Sequence, residues 1–142
     1  GAPQAFARSD FDMIAIEAQG GDDTVEFAGG SGTETTHVYP GYASWREESA
    51  DGIGVVVTQA EQVQYAASGD NDLLILRDAT GDDQLVASQS NVTLTWTDIG
   101  QSIVTTAAAR VRAISVAGGN DTSDEQAPVQ ADLKILGDWT II

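Results

Sequence analysis

The sequence predicts an all-β domain, a repeat-built β-solenoid of the parallel β-helix kind with a 49-residue period, with an antiparallel β-meander or sandwich as the alternative. Three observations lead there. Gly20-Gly21-Asp22-Asp23-Thr24, Gly69-Asp70-Asn71-Asp72-Leu73 and Gly118-Gly119-Asn120-Asp121-Thr122 begin 49 residues apart in both intervals. Between these acidic boxes lie short runs of β-branched and large apolar residues framed by Gly and Asp. No stretch carries an amphipathic helical stripe, and the alanine-rich segment from Thr105 to Arg110 sits between strand-like runs. In-register stacking requires a constant period, whereas isolated hairpin loops tolerate insertions, and this favours the solenoid. A propeller blade has a similar length, but three blades would not close.

Ile14, Ile16 and Ala18 alternate with their neighbours as a strand does, and the 49-residue shift lays them over Val63, Tyr65 and Ala67, then over Arg112, Ile114 and Val116. After the first box come the runs from Thr24 to Ala28 and from Leu73 to Arg77. A second box follows twelve residues beyond the first, Gly32-Thr33-Glu34-Thr35 in one repeat and Gly81-Asp82-Asp83-Gln84 in the next; Gln130 stands at that place in the third. Further runs match in pairs: Thr35 to Tyr39 with Gln84 to Ser88, Tyr42 to Trp45 with Val92 to Trp96, and Ile53 to Thr58 with Ser102 to Thr106. This gives four or five strands per repeat. Thr122 to Gln130, acidic and containing Pro128, reads as the most loop-like stretch, before a last strand from Asp132 to Leu136 and the ending Trp139-Thr140-Ile141-Ile142. One domain covers 1–142, with repeats at about 11–59, 60–108 and 109–142, the last incomplete or capping.

Composition narrows the function. At 142 residues the chain is long enough to bury a real core. Its 22 acids against 6 bases, a formal net charge of −16, repel phosphate backbones and anionic headgroups, so neither nucleic acid nor membrane insertion is expected. Without Cys there is no disulfide, thiolate zinc site or cysteine nucleophile; the single His37 cannot make a two-His metal site and has no serine-elbow motif beside it. No run resembles a signal peptide or is apolar for long enough to span a bilayer. Lys134 is the only lysine beside five arginines, and an acid-rich, lysine-poor surface suits salty or calcium-containing surroundings.

The pairing of a Gly-Gly-Asn-Asp box with a Gly-Asp-Asp box about a dozen residues later resembles the roughly fifty-residue repeats of large secreted or surface proteins of planctomycete bacteria. The clearest copy runs from Val63 through Ser68-Gly69-Asp70-Asn71-Asp72 to Gly81-Asp82-Asp83-Gln84, and Ala117-Gly118-Gly119-Asn120-Asp121 repeats its opening. The resemblance covers about residues 11 to 124 and implies an extracellular architectural segment. More distantly, the boxes resemble the Gly-Gly-x-Gly-x-Asp turns of calcium-binding RTX β-rolls, although the chain departs from their nonapeptide rhythm.

Ca²⁺ is the sharpest chemical expectation for the boxes, since it takes six to eight oxygens and a glycine turn curls backbone carbonyls toward Asp and Asn side chains. The candidate ligands are Asp22, Asp23, Asp70, Asp72, Asn120, Asp121, Asp82 and Asp83, with Asp23, Asp72 and Asp121 in one column if the repeats stack. The alternative is that these side chains accept hydrogen bonds from their own turns. Trp45 and Trp96 recur at corresponding places and, with Tyr42, form a candidate glycan-binding surface; packing over a core is the competing reading. Paired carboxylates alone can hydrolyse a glycosidic bond, but 22 acids nominate too many pairs and none stands in a marked apolar setting. The expected function is therefore a noncatalytic extracellular spacer or adhesion domain, joined to neighbouring repeats of a larger surface protein and stabilised by Ca²⁺. A carbohydrate-binding module of a polysaccharide-degrading enzyme is the alternative, and an acid/base glycosidase the third reading.

Overall fold

The computed structural model describes residues 13–49, 52–67, 71–89, 91–106 and 110–142. Among them the chain is all-β. The strands are β1 Met13–Glu17, β2 Thr24–Ala28, β3 Glu34–Tyr39, β4 Tyr42–Glu47, β5 Gly54–Thr58, β6 Gln62–Ala66, β7 Leu73–Arg77, β8 Asp83–Gln89, β9 Asn91–Trp96, β10 Gln101–Thr106, β11 Arg110–Ser115, β12 Thr122–Val129, β13 Asp132–Gly137 and β14 Thr140–Ile141. They form two seven-stranded mixed sheets. Sheet I has the order β1-β5-β4-β3-β7-β11-β13, and sheet II the order β14-β12-β8-β9-β10-β6-β2.

The chain passes from sheet to sheet. It places β1 in sheet I and β2 in sheet II, then lays β3, β4 and β5 as an antiparallel meander in sheet I. The second repeat does the same with the sheets exchanged: β6 in II, β7 in I, and the meander β8, β9, β10 in II. Each of the first two repeats thus crosses between sheets at the ends of its first, second and fifth strands, and an odd number of crossings starts the next repeat on the opposite side.

The stacking of equivalent strands suggested by the 49-residue period is therefore not the arrangement found. β1, β6 and β11 are equivalent by sequence but alternate between the sheets. Four pairs of strands run in parallel across a repeat boundary: β2 with β6, β3 with β7 and β8 with β12 in a 38-residue register, Thr24 opposite Gln62, Thr35 opposite Leu73 and Gln84 opposite Thr122, and β7 with β11 in a 37-residue register, Leu73 opposite Arg110. Within each repeat the first strand pairs in parallel with the last, β1 with β5 and β6 with β10. In the third repeat the single strand β13 takes that place beside β11, and β14 lies beside β12.

A two-residue alternation makes the core. In β7, β8 and β9 every second side chain is buried, so Leu74 and Leu76 from sheet I meet Leu85, Ala87, Val92, Leu94 and Trp96 from sheet II in one apolar layer. Each fully buried large side chain contributes about 1.5–3 kcal/mol. The stretch from Thr122 to Gln130 is strand rather than loop over most of its length: β12 pairs with β8 and shifts register between Gln126 and Val129, around Pro128, which has no amide to donate. Its polar run reads as loop because Glu125 and Gln126 stand exposed on a strand.

Candidate functional site

The second box of one repeat sits on the first box of the next. The amide of Glu34 donates to Asp72 Oδ1 at 3.1 Å, and 49 residues later the amide of Asp83 donates to Asp121 Oδ1 at 3.0 Å. Each upper acid also turns back on its own loop: Glu34 Oε1 accepts the Gly30 amide at 3.2 Å, and Asp83 Oδ2 accepts the Ala79 amide at 2.5 Å. An eleven-residue step from Asp23 to Glu34 and a 38-residue step from Glu34 to Asp72 make up the 49-residue period. The main chain joins in. The carbonyls of Asp23, Asp72 and Asp121 accept the amides of Gln62, Arg110 and Thr140, at the start of the strand stacked next to each.

These acids lie inside the protein. Glu34, Asp72, Asp83 and Asp121 are 1–2% exposed. Burial, then the hydrogen bond and charge of Asp72, raise the Glu34 carboxyl above the usual carboxylate range. Asp83 is pushed up to about 6, first by burial and then by the charges of Asp121, Asp78 and Asp98, against the lowering effect of the Ala79 amide. Burial and the Asp72 charge also raise the Tyr65 phenol. Asp121 is more fully satisfied than Asp83, because its Oδ2 accepts the Ser115 hydroxyl at 2.6 Å, while Asp83 Oδ1 has no hydrogen-bond partner among the described residues. Asp78 adds a link found only in the second repeat: its Oδ2 accepts the amides of Val116 and Ala117 at 2.8 and 2.6 Å, where the first repeat has Gly29.

The expected calcium ligands are thus dispersed. Asp23, Asp72 and Asp121 do not form one column, because they precede β2, β7 and β12, which lie in alternate sheets. Asp22 is exposed and Asp23 half-buried, its amide donating to Glu61 Oε2 at 2.8 Å. Asp82 is exposed and its Oδ1 accepts both the Asn120 amide and the Asn120 side-chain amide, at 2.8 and 3.1 Å. Asp70 lies outside the described residues. Among the described residues no three His, Asp or Glu side chains are grouped to hold a metal ion. Of these side chains, Asp72, Asp82 and Asp121 accept hydrogen bonds from the amides of an adjacent repeat.

The aromatics divide. Trp96 is buried in the core at 2% exposure, with its indole N–H donating to the Arg77 carbonyl at 2.8 Å, so it offers no surface to a sugar. The alternation of β9 that sends Val92 and Leu94 inward sends Trp96 with them. Trp45 is half-buried against the same core. Tyr42 alone of the three is exposed, on the outer face of sheet I. There it meets Tyr39 edge to face at 5.7 Å between ring centroids; Tyr39 stacks on His37 at 6.4 Å and carries the Arg77 guanidinium over its ring at 5.4 Å.

Sequence reasoning missed the Glu34–Asp72 link and the Tyr39–Arg77 contact. Both cross between β3 and β7 and depend on the 38-residue register, for which the sequence carries only an indirect signal, the twelve-residue spacing between box types. Compared with protein-family models, curated proteins and solved structures, the chain matches none.

Proposed function

We propose that this chain is a noncatalytic structural domain, a spacer or adhesion segment of a larger extracellular or cell-surface protein, whose repeats join end to end as a two-sheet solenoid. The observation that carries this reading is the recurrence of one joint. The second strand of a repeat pairs with the first of the next, and the third with the second, as β2 with β6 and β3 with β7, then β7 with β11 and β8 with β12. The buried carboxylate-to-amide bond recurs with it. A joint that repeats can be extended, and the outermost strands expose apolar side chains suited to a neighbour: Met13 and Ile16 on β1, Leu136 on β13 and Ile141 on β14. The acid-rich composition and the resemblance to secreted repeats support the extracellular placement.

Calcium enters this reading through exposed carboxylates such as Asp22 and Asp82, because Asp72 and Asp121 are buried against protein donors. A melting temperature higher in millimolar Ca²⁺ than in EDTA, with the difference reduced in Asp82→Ala, supports that part; an unchanged one removes it. Acid/base glycosidase chemistry is disfavoured because the carboxyls with raised pKa, Glu34 and Asp83, lie in the core, out of reach of a sugar.

The test is truncation after residue 108. Loss of β11 to β14 uncovers β7 and β8, and the expected result is a broadened melt together with self-association in sedimentation velocity. A truncated chain that stays monomeric and melts as the full one does would overturn the proposal that the repeats depend on one another.

A further inference from the structure

Five of the chain's six bases project from a single surface, the outer face of sheet I: Arg46, Arg77, Arg110, Arg112 and Lys134. The sixth, Arg8, lies outside the described residues. Register sets them in rows across the strands. Tyr42 is opposite Tyr39, and Arg77 continues that row; Ser44, His37, Ile75, Arg112 and Lys134 make the next. Successive members stand about 4.8 Å apart. Among the strand residues of this face the acids are Glu17 on β1 and Asp132 on β13, and Asp132 is bound to Arg112 at 3.0 Å. The outer face of sheet II is different in kind, with Thr24, Glu26, Gln62, Gln64, Thr93 and Thr95 and no base.

We infer that the outer face of sheet I docks an acidic polysaccharide, a uronate-bearing chain. Charge complementarity selects an anion, since this is the cationic side of a chain whose net charge is −16. The aromatics select a sugar. Tyr42 offers an exposed ring for the C–H face of a pyranose, and Tyr39 holds the Arg77 guanidinium beside it by a cation–π contact, ready for a carboxylate. A hollow of about 370 Å³ adjoins the row; His37, Tyr42, Ser44 and Arg46 in its lining supply hydroxyl, imidazole and guanidinium groups for ring hydroxyls, and Glu48 at the same hollow is an acceptor for them, so the sugar's carboxylate is assigned to Arg77 rather than to the hollow. An acidic peptide fits less well, because a sheet face presents no free backbone groups to pair with peptide amides. Nucleic acid, with a charge about every 1.7 Å of duplex, meets the strongest repulsion from the rest of the chain.

The probes are polygalacturonate, neutral dextran and poly-glutamate, titrated calorimetrically into the intact chain at low salt. Polygalacturonate is expected to bind and to weaken as salt rises, and dextran to show no heat of binding. Tyr42→Ala and Arg77→Ala should each weaken polygalacturonate about tenfold, equivalent to about 1.4 kcal/mol, while Gln64→Ala on the opposite face leaves it unchanged. If Arg77→Ala lowers the melting temperature, the exposed Tyr42→Ala decides the matter. No binding of polygalacturonate would overturn the inference. So would poly-glutamate binding equally well with Tyr42→Ala having no effect, which would mark the face as a site for acidic peptides.

Discussion

Asp121 Oδ1 accepts the amide proton of Asp83 at 3.0 Å, and it does so from the next repeat, 38 residues on. Both residues are buried, so neither group finds water if the other is removed. Asp121→Ala leaves the Asp83 amide and the Ser115 hydroxyl without their acceptor, and the expected cost is about 1–3 kcal/mol in chemical denaturation. A loss no larger than that of Asp22→Ala, a change at an exposed box acid, would show that the buried bond is not what holds the repeats together.

Protonation should strengthen this protein between neutral and mildly acid pH. Asp83 titrates at about 6 in the folded chain, above its ordinary 3.8, and Glu34 is also raised. A carboxyl whose folded pKa is raised is held more tightly as the acid in the folded state. Its stabilisation is fully present below the unfolded pKa and is lost as pH rises through the folded one. The melting temperature should therefore rise as pH falls from 7 toward 5, opposite to the behaviour of carboxylates in salt bridges. Asp83→Asn, which keeps an oxygen for the Ala79 amide and removes the charge facing Asp121, Asp78 and Asp98, should flatten that rise and stabilise the chain at pH 7.

Gly119 has φ +118°, and a Cβ there would run into the carbonyl oxygen of Gly81, the glycine of the box stacked on it. The close approach of two backbones, not turn flexibility alone, fixes glycine at this place. Gly119→Ala is expected to destabilise by about 1–3 kcal/mol, whereas Gly41→Ala, also at positive φ but with open space around it, should cost about 1 kcal/mol. Equal losses at the two sites, measured by urea denaturation, would remove the contact between boxes from the explanation.

Trp96 is a core residue, and Trp96→Ala should cost about 3–5 kcal/mol through the lost burial and the cavity left behind. Its indole emission should be that of a buried ring and should not change when polygalacturonate is added. A mutant of wild-type stability would contradict the packing described for β9 and β7.

The β-class of the chain and most of its strands were legible because β-branched residues at alternate positions, as in Val92 to Trp96, leave no helical reading. Two things were hidden. Equivalence by sequence at 49 residues looks like contact, yet β1 and β6 are equivalent without touching; nothing local tells that Thr24 to Ala28 crosses to a second sheet. For the same reason the acids of the boxes could be located but not their partners. Glu34, placed in the second box of the first repeat and facing Asp72 only through the 38-residue register, shows why: its role is set by a strand far along the chain. The inward turn of Trp96 was available from the alternation of Val92 and Leu94, and the recurrence of Trp at corresponding places drew attention away from it.

The chain contains no cysteine, so introduced pairs can report its register without interference. Gln84→Cys with Thr122→Cys places two thiols directly opposite one another on β8 and β12, 38 residues apart. Thr35→Cys with Gln84→Cys places them 49 residues apart on the outer faces of different sheets, separated by more than the roughly 10 Å between sheets. Under mild oxidation the first pair is predicted to form an intramolecular disulfide and the second to remain as free thiols; a disulfide in the second pair and none in the first would contradict the sheet-exchanging repeat at the centre of this structure.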